Sequence, residues 1–91
     1  MSTDSWDAAR KSYLTSLRAK LRSAYKAQHA TGLPPDRRWL NGFMAAGFHS
    51  GLVTLQELML EGKQIFRKVY GRSMLEREER LLASRLERLC E

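Results

Sequence analysis

Apolar side chains recur along this chain at steps of three and four residues, the spacing that lines one face of an α-helix. From about residue 5 to residue 31 the stripe is Trp6, Tyr13, Leu14, Leu17, Leu21, Ala24 and Tyr25. Asp4 or Ser5 is placed to cap the free N–H groups at its start. Gly32 suits the left-handed turn that ends a helix, Leu33 is placed to fold back on the last turn, and Pro34-Pro35 forbid continuation. A second helix is predicted over 36–50, with Asp36 as N-cap, Trp39, Leu40, Phe43, Met44 and Gly47 inward, and Gly51 then Leu52 at its end. Gly42 and Gly47 each cost this helix about 1 kcal/mol of propensity. Close approach of another helix is the gain expected to offset that.

A third helix is predicted over 55–70. Thr54 and Glu57 form a Thr-x-x-Glu capping box, and Val53 and Leu58 hold the hydrophobic-staple positions around it. Leu55, Leu58, Met59, Gly62, Ile65, Phe66 and Val69 line its inner face, and Gly71 closes it. Ser73 and Glu76 repeat the box and open a fourth helix over 74–90, with the stripe Leu75, Leu82, Leu86 and Leu89 and with Leu81 alongside. Glu76 and Arg80, four apart, support it modestly. No segment alternates with period two over strand length. The pattern predicts an all-α fold: one domain over 1–91, a compact array of four helices with a long first helix and a central short-turn hairpin of helices two and three.

Composition then narrows the class. The chain has 91 residues, enough for one domain of modest stability. Its net charge is +6 with arginine well ahead of lysine, which favours nucleic acid, acidic protein surfaces or anionic lipid as partners. A single cysteine, Cys90, excludes an intrachain disulfide and suits a reducing cytosol. No basic and apolar leader and no apolar run of about 20 residues occurs, so the expectation is a cytoplasmic protein with no membrane partner.

Catalytic chemistry finds no support. His29 and His49 lack cysteine, histidine or carboxylate neighbours at metal-ligand spacing. The carboxylates from Glu57 onward are glutamates expected on helical surfaces, without a pocket to separate their pKa values. Gly47-x-x-x-Gly51 follows no strand and precedes no Gly-Lys-Ser/Thr, so it is no phosphate loop. Cys90 has no histidine beside it in sequence and is placed beyond the packed region. The expectation is no enzyme, no metal and no cofactor.

Three surfaces carry the interaction chemistry. Lys11, Arg18, Arg22, Lys26 and His29 form a basic row on helix one. Helices two and three resemble a helix-turn-helix in turn length, with Gln56, Lys63, Gln64 and Arg67 of helix three available to bases and phosphates. Against DNA stand Glu57 and Glu61 near those phosphates and Leu60 in the middle of that face. Helix four has leucines flanked by glutamate and arginine, the composition of a dimer seam. The stretch Gly47-Phe48-His49-Ser50-Gly51-Leu52-Val53-Thr54-Leu55-Gln56-Glu57-Leu58 resembles segments of small helical proteins carried on bacterial mobile elements.

The function expected is a non-catalytic regulator or inhibitor of bacterial type that binds and occludes another protein of acidic or mixed surface. Leu60, Arg67, Arg18 and Arg22 are the contacts expected. A DNA-binding protein reading through helix three, with Gln56, Lys63, Gln64 and Arg67, is the alternative. A structural subunit of a larger assembly is the second alternative, and a homodimer is compatible with each.

Overall fold

The computed structural model describes residues 3–34 and 36–91, without the side chains of 3 and 4. Four helices account for most of this length: α1 (Thr3–Thr31), α2 (Arg38–His49), α3 (Leu55–Tyr70) and α4 (Glu76–Leu89). There is no strand among the described residues. The Asp4 side chain and Pro35, expected as cap and helix stop, lie outside the described residues. Ser5 sits within α1, not ahead of it.

Local chemistry sets most boundaries. Gly32, Gly51 and Gly71 follow their helices at φ values of 72°, 81° and 71°, the left-handed region that favours glycine. At the start of α3 the Glu57 N–H donates to Thr54 Oγ1 at 3.1 Å, and the Thr54 N–H donates to Glu57 Oε1 at 3.0 Å. The caps of α2 and α4 differ from expectation. Asp36 accepts the Arg38 N–H at 3.0 Å, but the residue at the N-cap is Arg37. Leu75, not Ser73, is the N-cap of α4, and its N–H donates to Glu78 Oε1 at 2.8 Å. Arg72 pulls that carboxylate into place, with its Nη1 2.8 Å from the same oxygen. Leu33 points to solvent and does not fold back on α1.

The helices enclose one core, with Leu17, Leu58, Ile65 and Leu86 fully buried. Helix α1 packs on α2 and α3, and α4 packs on the other sides of α3 and α2. Arg10 reaches Glu57, Arg18 reaches Glu61 and His29 reaches Tyr70, so α1 and α3 run parallel. Lys20 lies by Trp39 and Tyr13 by Gly47, so α2 runs against α1. A short turn joins α2 to α3 as expected, yet each has its main contacts with α1 and α4.

Several expected core positions move. Trp39 is 68% exposed and Phe43 half-buried, because the 39–43–47 stripe drifts about 40° per step around a 3.6-residue helix. Only its Gly47 end faces inward. Trp6 also remains largely outside. Leu82 and Leu86, read as a dimer seam, are core residues that close over α3, while Leu75 and Leu81 are exposed. Cys90, expected beyond the packing, is half-buried against the core, and burial raises its thiol pKa. Glu61, expected on the surface, is only 8% exposed.

The two glycines of α2 have different reasons. A Cβ at Gly47 would overlap the ring of Tyr13, whose hydroxyl donates to the Phe43 carbonyl at 2.8 Å. Burial pushes that phenol up to about 12. A Cβ at Gly42 would touch nothing. The same substitution should therefore have opposite signs. Gly47→Ala should cost about 1–3 kcal/mol by overpacking, whereas Gly42→Ala should add about 0.5–1 kcal/mol of helix propensity. Thermal melts of the two variants check this. Phe66, buried and stacked on Tyr70 at 4.1 Å, should cost about 3–5 kcal/mol when cut to alanine. Denaturant titration measures that loss.

Candidate protein-binding face

The outer side of α3 carries the candidate site. Its inner stripe of Leu58, Gly62, Ile65 and Phe66 is buried, which turns Gln56, Leu60, Gln64 and Arg67 to solvent. Leu60 is 54% exposed, as its polar sequence neighbours predict. Between α3 and α4 lies an apolar groove of about 370 Å³, walled by Leu55, Met59, Leu60, Ala83 and Leu86. Gln56, Lys63 and Glu87 form its rim. On the other side of Leu60 lie two separate hollows, one walled by Leu60, Gln64, Arg67 and Met74 and one by Gln64, Arg67 and Lys68. Apolar surface thus passes into basic surface along one helix.

The other edge of α3 is tied to α1. Glu61 accepts a fork from Arg18, Nε to Oε2 and Nη2 to Oε1, both at 2.8 Å. Two parallel charge-assisted bonds satisfy a carboxylate that burial would otherwise penalise. One end lower, Arg10 donates to Glu57 and, at 2.8 Å, to the Leu52 carbonyl. Towards their shared C-terminal end α1 and α3 themselves carry no further carboxylate. Among the described residues, Arg22, Lys26, Arg67 and Lys68 are exposed and pair with no carboxylate. Asp36, Glu76, Glu78 and Glu79 at the same end each hold a cation of their own: Arg38, Arg80, Arg72 and Lys63. The net positive charge is therefore concentrated where α1 and α3 end together.

The expected site residues separate accordingly. Leu60 and Arg67 share the outer face of α3. Arg18 serves the α1–α3 clamp, with nearly half its side chain still exposed, and Arg22 stands one turn further along α1. Of the alternative set, Gln56, Gln64 and Arg67 are outward, and Lys63 is 3.3 Å from Glu79. The row Lys11, Arg18, Arg22, Lys26 and His29 is exposed throughout, with His29 edge-on to Tyr70 at 4.7 Å. Sequence reasoning missed the groove wall from Ala83 and the Arg10–Glu57 pair. The signal for the pair was present: Arg10 and Arg18 share a face of α1, as Glu57 and Glu61 share one of α3.

Among the described residues no group of three or more His, Cys, Asp or Glu could hold a metal ion, and no helix is long and apolar enough to cross a membrane. The chain matches no known family model, no curated protein and no solved structure.

The clamps have a pH signature. The Arg10 hydrogen bond, partly opposed by burial and aided by the Thr54 N–H, holds Glu57 below its ordinary value. The Arg72 hydrogen bond does the same for Glu78. A carboxylate with a lowered folded-state pKa stabilises fully above its unfolded value, about 4.3, and loses that contribution as pH falls through the folded value. Melting temperature should thus decline on acidification below that point. Glu57→Gln with Glu78→Gln should flatten the decline, and melts across an acid series check it.

Proposed function

We propose that this chain is a non-catalytic regulatory or inhibitory protein that binds another protein on the outer face of α3 and occludes it. The single observation that carries this is the graded face itself: an open apolar groove beside Leu60, with Arg67 and Lys68 exposed further along the same helix. Leu55, Met59, Leu60 and Ala83 would receive apolar side chains of the partner, each gaining about 25 cal/mol per Å² removed from water. Arg67, Lys68 and Arg22 would meet acidic groups beside them, and at long range would steer the encounter. A partner of mixed apolar and acidic surface fits that order, and an amphipathic acidic helix fits its length. A cytoplasmic setting accords with the lone Cys90. No reaction is assigned to this face.

DNA binding draws on the same cations, but the exposed Leu60 would face a phosphate backbone. The test separates the two. A fluorescent helical peptide with leucines at i, i+3 and i+7 and glutamates towards one end should bind, and Leu60→Asp should abolish binding with little change in melting temperature. Arg67→Glu should weaken binding and slow association. Sequence-selective duplex binding at physiological salt, unaffected by Leu60→Asp, would overturn the proposal in favour of DNA.

A further inference from the structure

Five cations among the described residues are half-buried: Arg10, Lys20, Arg37, Lys63 and Arg85. Arg10 and Lys63 pair with Glu57 and Glu79, and Lys20 lies over the Trp39 and Phe43 rings. Arg37 and Arg85 have no carboxylate within ion-pair distance among the described residues. These two line one pocket of about 200 Å³, where the end of α1 and the loop before α2 meet α3 and α4. Phe66, Met74, Leu81 and Leu82 give it an apolar wall.

The polar atoms of this pocket are unbalanced. Gln28 Oε1 already accepts from Arg37 Nη2. Both oxygens of Glu78 are taken, by the Arg72 guanidinium and the Leu75 N–H. Donors are left over: the Gln28 amide N–H groups, the Arg85 guanidinium and Arg37 Nε, which is buried and has no acceptor. A charged donor shut away from water without an acceptor is costly, and native interiors seldom leave one. Asn41 Oδ1, the other such buried atom among the described residues, belongs to a side chain that does not line the pocket.

We propose that this pocket is a binding site for a small organic carboxylate, its charged end between Arg37 and Arg85 and its ring or short branched chain against Phe66 and Leu82. A planar guanidinium matches a carboxylate through two parallel hydrogen bonds. Glu78, though neutralised by Arg72, repels a second negative charge and so disfavours a phosphate dianion. The apolar wall calls for an apolar body. The volume is several times the share of one water molecule, about 30 Å³, and below the roughly 300 Å³ at which pockets for drug-sized ligands begin. That body is therefore one ring or a chain of similar bulk. The pocket shares no wall residue with the Leu60 groove and does not depend on it.

Titration of the isotope-labelled full chain with sodium phenylacetate, followed by nuclear magnetic resonance, tests this. The Arg37 and Arg85 Nε–H resonances should shift and saturate, with a Kd below about 1 mM. Acetate keeps the charge without the ring, and phenylacetamide keeps the ring without the charge. Each should bind at least tenfold more weakly, as should inorganic phosphate. Saturating phenylacetate should raise the melting temperature. Arg85→Gln should weaken binding at least tenfold with an unchanged helical spectrum. That variant carries the test, because Arg85 holds no ion pair for the fold to lose, whereas Arg37 also holds Gln28. Leu60→Asp should leave the affinity unchanged, which keeps this test apart from that of the groove. No saturating shift up to about 10 mM, equal binding of phenylacetamide or phosphate, or an Arg85→Gln variant that binds normally would each overturn the proposal. So would an Arg37 Nε resonance that moves in Asn41→Ala but not with phenylacetate, since those two side chains would then satisfy each other.

Discussion

The seat of Tyr13 on Gly47 governs how the helices are arranged. A missing Cβ lets the phenol ring lie against α2 and lets its hydroxyl reach the Phe43 carbonyl. That contact fixes both the α1–α2 separation and the rotation of α2. Rotation then decides the rest of α2: Leu40 and Met44 face the core, Phe43 stacks on Tyr13, and Trp39 is carried out to the flank. With α2 held on one side of α1, α3 occupies the other, and α4 closes over both.

Parallel neighbours carry an electrostatic cost, because α1 and α3 set their negative dipole ends side by side. His29, Arg67 and Lys68 stand in those last turns and offset it. The Arg–Glu clamps hold the opposite halves together, where the helix starts already favour Glu57. The surplus of cations at one end thus has a structural role, set against the paired helix ends.

Features set by near neighbours in sequence were legible. The Thr54–Glu57 box, the three left-handed glycines and the inward face of α3 each need only residues a turn or two apart. Features that depend on distant partners were not. Glu61 reads as a surface glutamate until Arg18, 43 positions away, is brought to it. Leu82 and Leu86 fit a dimer seam as well as a core, and only the docking of α4 on Gly62, where Leu82 lies 2.9 Å from the Cβ position, decides between them. At the start of α4 two acid-bearing registers were available, and Arg72 selected the one through Glu78. Of the candidate site, Leu60 and Arg67 could be placed outward from periodicity alone. The groove beside them required the position of α4.

The cyclic order α1–α2–α4–α3 sets the α1–α2 side and the α3–α4 side back to back. Substitutions on the outer surfaces of the two sides are then far apart and share no packing partner, so their effects on stability should add.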